Sequence, residues 1–332
     1  MAIRVVALGE NDSVQQPIEV LISEYKLSLD AANRSRKTIS WYLDILNDFF
    51  FIYLPLQGIS KPIAELGRKE VESYVRHMQT SKRWPKRLHP EKNPVSLSPF
   101  TIQGKVRTLK AFWSWLCNQG YIETNPMVKY PLPKVPKNVI KTLTIEQIKL
   151  FLKTIEKHTS VGDRNYCITL LMIDNGARIS EVVTIQIAEL YLSKCRVKIT
   201  GKGQKERIIP FTKITRRELL KYIEHHRNNL CKLDSPYLFP ANDADHVSIK
   251  SIQQAIGRLS KKVGLDGIKY HPHIFRHSFA TLFLAKGGQL TTLKEIMGHE
   301  SIQTTQKYVH FLPEDLQKQH WNYSPIEDLF NK

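Results

Sequence analysis

Cysteine is scarce in this sequence and long apolar runs are missing, and each shortage excludes a class of protein. Among 332 residues there are four cysteines (Cys117, Cys167, Cys195 and Cys231), far apart and with no C-x-x-C pair. A disulfide scaffold needs a denser set and a zinc ribbon needs paired spacings, so the expectation is four reduced thiols in the cytoplasm. The longest apolar run, Phe49 to Leu54, is stopped by Pro55. A membrane-spanning helix needs roughly 18 such residues, so none is expected. The opening MAIRVVALGEND turns acidic before a signal-peptide core can form. No D-x-D or E-x-K cluster stands in the context of a metal-dependent nuclease. Low-complexity runs and internal repeats at a period of 20–50 residues are also missing, so a repeat array is excluded. A hydrophobic fraction of 42% with 24% charged residues rules out wholesale disorder.

Acidic residues are outnumbered, 31 against 49 Lys and Arg, which leaves a net charge of +18. Such an excess suits a polyanionic partner, nucleic acid first among them. Residues 1–126 carry 17 basic and 12 acidic side chains, residues 127–312 carry 30 and 15, and residues 313–332 carry 2 and 4. The middle segment is therefore the main electrostatic surface. Its basic residues are interleaved with apolar periodicity, which describes a folded basic face rather than a tail.

Helical spacing dominates the first 120 residues. Val20, Leu21, Tyr25 and Leu29 form one stripe, and Ile39, Tyr42, Leu43, Leu46 and Phe50 a second. Val71, Tyr74, Val75 and Met78 form a third. Ile102, Val106, Leu109, Phe112, Trp113 and Leu116 form a fourth, with Gly120 as its stop. Between the last two stripes lies SKRWPKRLHPEKNP, five basic residues with one acid and three prolines. Residues 126–141, PMVKYPLPKVPKNVIK, hold four prolines, four lysines and no acid, and read as an extended interdomain connector. Thr144-Ile-Glu-Gln147 has the pattern of a capping box opening a new helix. The alternation of Cys195, Val197 and Ile199, the turn Gly201-Lys-Gly-Gln204 and the return from Glu206 to Phe211 predict a β-hairpin with a lysine at its tip.

Five local patterns in the second half complement one another chemically. Arg178-Ile-Ser-Glu181 follows the turn dipeptide Asn175-Gly176, with Arg and Glu sharing a helix face. Lys202 occupies the hairpin tip. His273-Ile-Phe-Arg276 places His and Arg on one face of a helix starting near Pro272. His299 follows Met297-Gly298, and Tyr308 comes nine residues later. Each pattern alone is weak, since Arg–Glu pairs are usually surface ion pairs and single histidines usually structural. Together, two arginines can clamp a phosphate, two histidines and a lysine can bond it and move protons, and a tyrosine hydroxyl can attack it.

The segments that carry this set are NGARISEVVTI, ITGKGQKERIIPF, HPHIFRHSFATLFLAKGG and LKEIMGHESIQTTQKYVH, with VRTLKAFWSWLCNQGYIETNP upstream. They resemble the tyrosine recombinases of the phage integrase family, closest to Xer-like and mobile-element integrases. That resemblance implies a mainly α fold with a small antiparallel β-sheet. It implies a helical core-binding domain and a catalytic domain that close as a clamp around DNA. The domains expected are an N-terminal extension (1–14), a core-binding domain (15–125), the linker (126–141), a catalytic domain (142–312) and a tail for docking between protomers (313–332). With so little chain before the first helix, no arm-binding domain is expected.

Carried over residue by residue, Arg178 and Arg276 would clamp the scissile phosphate and Lys202 would protonate the leaving 5′-oxygen. His273 would supply an acid–base or hydrogen-bonding function, His299 would bond a non-bridging oxygen, and Glu181 would steady the site. Tyr308 would form a 3′-phosphotyrosyl bond whose retained energy permits rejoining without metal, cofactor or ATP, by way of a Holliday junction. Candidate DNA contacts are Lys82, Arg83, Lys86 and Arg87 in the basic loop, Lys105 and Arg107 on the fourth helical segment, and Lys205 and Arg207 in the hairpin. The implied partners are double-stranded DNA with a specific site and, in the synaptic complex, a homotetramer of chains that are monomeric off DNA. The implied setting is the cytoplasm of a bacterium or archaeon, in association with the nucleoid. Chromosome or plasmid resolution, phage integration and transposition share this chemistry. A type IB topoisomerase uses similar groups, but H-x-x-R and G-H-E here follow the recombinases. A DNA-binding accessory protein with an idle site would lack one of the six groups, and none is missing.

Overall fold

The computed structural model describes residues 16–80, 97–136, 141–231, 235–242, 245–264 and 270–309, without the side chain of Lys202. The chain divides into two compact units between Asn138 and Val139, each with its own hydrophobic core. Among the described residues, no helix is long and apolar enough to cross a membrane.

The first unit contains α1 (Ile18–Ala31), α2 (Arg36–Asn47), α3 (Leu54–Leu56), α4 (Arg68–Thr80) and α5 (Pro99–Asn118). Ser35 and Ser98 start α2 and α5 by accepting backbone N–H bonds from Thr38 and Thr101. The third and fourth apolar stripes are buried as their spacing predicts. The first is shifted by a residue, with Ile22 buried in place of Val20, which is 41% exposed. The second is widened by a π-helical turn, Asp48–Tyr53, which turns both Phe49 and Phe50 inward against Trp113 and brings Asp48 into the core. There Asp48 accepts hydrogen bonds from Tyr74 at 2.5 Å and Lys105 at 2.6 Å.

Lys105 was expected to face DNA. The structure places it in this core instead, where its ammonium neutralises a carboxylate that would otherwise be buried alone. Arg107, two residues on, is exposed. The basic loop with Lys82, Arg83, Lys86 and Arg87 lies outside the described residues. The Pro-rich segment is only partly a free connector. Met127 and Tyr130 are buried in the first core, and Lys110 donates to the Tyr130 carbonyl at 2.6 Å, so the segment's first third packs on the unit it leaves.

The second unit runs through α6 (Ile145–Lys153), α7 (Ser160–Asn175), α8 (Ile179–Val183), a three-stranded sheet, α9 (Lys213–His225), α10 (Ile249–Val263), α11 (Pro272–Ala285), α12 (Leu290–Met297) and α13 (Ile302–Gln306). The capping box at Thr144 and Gln147 is formed in both directions. The sheet has the order β1 (Leu190–Tyr191), β2 (Arg196–Thr200), β3 (Glu206–Pro210), antiparallel throughout, with Val197 opposite Ile209 and Thr200 opposite Glu206. β1 has only two residues, too few for an alternation to register. Ile168, Leu171 and Met172 of α7 lie in one core cluster with Ile274 and Phe275 of α11 and with the sheet's inner residues Val197, Ile199 and Ile209. That core positions α7, α8, α11 and the hairpin, which carry the candidate side chains.

Candidate active site

Asn175 and Gly176 end α7 and aim the next residues. Gly176 adopts φ +66°, the left-handed cap that glycine accepts without strain, and the Asn175 carboxamide accepts the Ala177 N–H at 3.1 Å. A Cβ on Gly176 would also lie 2.4 Å from the Phe279 ring. The chain then enters α8 with Arg178 at its N-cap, where Glu181 accepts both the Arg178 backbone N–H at 2.8 Å and a guanidinium N–H at 2.7 Å.

Glu181 is only 2% exposed, and a second guanidinium supports it. Arg207 of β3 donates to both carboxylate oxygens, at 3.1 and 3.0 Å, and through Nε to the Ile296 carbonyl at 3.0 Å. Burial works to raise the Glu181 carboxyl, but the bonds from Arg207 and Arg178 outweigh it and hold it below the usual range. Arg207 was expected to touch DNA. The structure commits its guanidinium to Glu181 and Ile296, so it ties the hairpin to α8 and to the end of α12 instead. Gly298 and Gly201 make the room, since a Cβ would lie 2.7 Å from this guanidinium at 298 and 3.2 Å at 201. Lys205, in the turn, is exposed and meets Glu300 at 2.8 Å.

Arg276 is 4% exposed on α11. It donates to the carbonyls of Gly176 and Met297, at 2.5 and 2.8 Å, and to His299 Nε2 at 3.0 Å. A guanidinium can only donate, so Nε2 of His299 is the acceptor and the ring proton sits on Nδ1, which donates to Thr305 Oγ1 at 2.8 Å. Burial and the charges of Arg276, Lys307, Arg178 and Arg207 lower His299 to about 4. Burial, with Arg178 beside it, also lowers Arg276, to about 10, so it stays charged at neutral pH. His273, exposed on the same helix, is lowered by desolvation and by Arg276, Arg178 and Lys307.

Tyr308 follows α13 and is buried, at 1% exposure. Its ring stacks on His299 with centroids 6.4 Å apart, and its hydroxyl meets Nδ1 of His277 at 2.8 Å. Burial raises the phenol, opposed by the charges of Arg276 and Arg178. Arg178, Glu181, Arg276, His299 and Tyr308, widely separated in sequence, are therefore one electrostatic neighbourhood. A cleft of about 490 Å³ opens on it, lined by Arg178, Gly201, Lys205, His299 and Thr304 among others. The hairpin turn that carries Lys202 borders it, although the Lys202 side chain itself is outside the described set. Two bonding residues were missed in the sequence, Thr305 and His277. The signal for His277 was its place four residues after His273, one helical turn along the same face.

A cleft lined by Arg178, Lys205 and Arg207, with a buried tyrosine stacked on its His299, suits an anionic ester, and the comparisons with known proteins agree. The model of the Phage integrase family matches residues 141–315. Tyrosine recombinase XerC of Oceanobacillus iheyensis is 27% identical over 296 residues, covering 88% of this chain and 92% of that protein. XerC of Staphylococcus epidermidis is 30% identical over 227 residues, covering 68% and 75%. Among solved structures, the Tn1549 transposon integrase in complex with a circular intermediate DNA shares the fold at a TM-score of 0.70 and 18% identity, covering 91% of this chain and 98% of that one. The XerH recombinase bound to its difH substrate does so at 0.63 and 21%, covering 82% and 77%.

Proposed function

Since this chain belongs to the phage integrase family, we propose that it is a site-specific DNA recombinase whose Tyr308 attacks the scissile phosphate. Arg178 and Arg276 hold the phosphate's non-bridging oxygens, and their fixed positive charge stabilises the pentacoordinate transition state. Glu181 and Arg207 keep Arg178 in place, and His299, bonded to Arg276, lines the cleft that the phosphate enters. His273 bonds the phosphate from the open side of α11. Lys202 delivers a proton to the departing 5′-oxygen. The 3′-phosphotyrosyl bond stores the ester's energy, so a 5′-hydroxyl from the partner duplex can displace the tyrosine without ATP or metal.

The observation that carries this reading is the convergence of both arginines and His299 on the Tyr308 ring. The partner is double-stranded DNA; the Tn1549 integrase is solved in complex with a circular intermediate DNA, and the net charge of +18 suits such a partner. The exposed Arg107 and Lys205 serve as phosphate contacts, with the basic loop of residues 81–94 as a third element. The active assembly is a homotetramer joined through residues 313–332, which lie outside the described residues.

The test is a suicide duplex nicked beside the cleavage site, run in excess EDTA. Wild-type protein should form a covalent adduct, whereas Tyr308→Phe should bind the site nearly as well and form none. An adduct in the phenylalanine variant would remove Tyr308 from the mechanism, and a strict need for magnesium would point to another enzyme class.

A further inference from the structure

An attacking tyrosine must lose its proton, and the three histidines around Tyr308 are not equally able to take it. His299 has its Nε2 lone pair engaged by Arg276 and its Nδ1 proton engaged by Thr305. His273 is exposed and its ring lies 6.4 Å from that of His277, one turn away on α11. Lys307, whose ammonium sits 5.2 Å over the Tyr308 ring, is a cation and has no lone pair to offer. The imidazole that meets the nucleophile's hydroxyl is His277, at 2.8 Å. Among the described residues it is the hydroxyl's one hydrogen-bond partner.

We infer that His277 is a catalytic residue, the proton acceptor for Tyr308. As the Tyr308 oxygen bonds to phosphorus, its proton passes to Nδ1 of His277 and the bond from phosphorus to the 5′-oxygen breaks. That oxygen takes its own proton from Lys202, and rejoining returns the His277 proton to the phenol. This assignment rests on the proposed recombinase reaction.

The surroundings of His277 fit the role. Burial lowers the ring to about 4, helped by the charge of Lys307 and by His273, Arg276 and His271 on its own helix. At neutral pH the imidazole is therefore uncharged, and in the tautomer that carries its proton on Nε2 the Nδ1 atom accepts from the Tyr308 hydroxyl. The same groups would repel an imidazolium in the empty site. A bound phosphodiester adds negative charge beside Arg276 and Lys307, which makes the imidazolium less costly when the tyrosine must ionise.

The test is single-turnover adduct formation on the nicked duplex, with DNA binding and thermal unfolding measured on the same preparations. His277→Asn keeps a hydrogen-bond acceptor near Nδ1 but cannot hold the proton, and should slow the step by ~10²–10⁴ while binding is unchanged. His277→Gly opens space for added imidazoles, which should restore the rate in order of their basicity. A near wild-type rate in the asparagine variant would overturn the inference, as would rescue indifferent to basicity. A faster His277→Phe would also overturn it, by showing that the bond only holds the tyrosine in reserve. If the glycine variant fails to fold, the asparagine variant decides alone. An adduct in Tyr308→Phe would instead sink the parent reading, which separates the two failures.

Discussion

Single side chains decide the chemistry, and Lys202 is the sharpest case. If it supplies the leaving-group proton, Lys202→Ala should slow cleavage by ~10²–10⁴. A substrate with a 5′-bridging phosphorothiolate needs no such proton and should recover most of the rate. Recovery for Lys205→Ala but not for Lys202→Ala would transfer the role, although Lys205 is paired with Glu300 on the surface. At this scale the sequence told much about residue types and little about orientation. Arg178, Glu181, Arg276, His299 and Tyr308 could be singled out by functional group and separation, and the structure brings them into one neighbourhood. Arg207 was misread because a positive charge in a basic hairpin looks the same whether it points to solvent or to a buried carboxylate. Lys105 was misread for the matching reason, since nothing local announces Asp48 fifty-seven positions earlier in the chain.

Among elements, the turn between α12 and α13 is closely constrained by the arginine it packs on. Gly298 has φ +63°, and a Cβ there would lie 2.7 Å from the Arg207 guanidinium. Gly298→Ala therefore combines backbone strain, worth about 1–3 kcal/mol, with displacement of the arginine that holds Glu181. Chemical denaturation should show a loss of that order, and adduct formation should fall by more than the lost folded fraction explains. Elements with strong period or distinctive punctuation were readable: α4, α5, the capping box and the hairpin all lie where spacing placed them. The π turn at Asp48–Tyr53 was not, because a widened turn alters which of several adjacent aromatics face inward while leaving the run equally apolar. The Pro-rich stretch was read as wholly extended, yet Met127 and Tyr130 are large enough apolar groups to be drawn into the neighbouring core.

For the whole molecule, the composition of the tail makes a prediction of its own. Residues 313–332 hold Leu316, Trp321, Tyr323, Ile326, Leu329 and Phe330 yet carry two basic and four acidic residues, unsuited to solvated disorder and to DNA alike. Truncation after Leu312 should leave a protein that shifts a single-site duplex in a gel but does not recombine two sites. Full recombination without the tail would dispose of its role between protomers, and global unfolding would mean that it packs on its own chain. A heterologous contact of this kind closes into a ring only if its rotation does, which is how four copies would finish a cycle.

The two separate cores have a consequence for scanning calorimetry. Where each core melts as its own transition, one melting temperature does not describe the chain. Their responses to acid should differ. His277 and His299 titrate near 4 in the folded second unit against about 6.5 when unfolded, so between those values the unfolded form binds more protons. Stability of that unit is fully expressed above pH 6.5 and declines as the pH falls toward 4. Across the same window the first unit contributes Glu70, whose lowered carboxyl titrates only below the ordinary carboxylate range. Scans at steps from pH 7 to pH 4.5 should therefore show one endotherm sliding to lower temperature past another that stays nearly still. His299→Asn and His277→Asn should each shorten the slide.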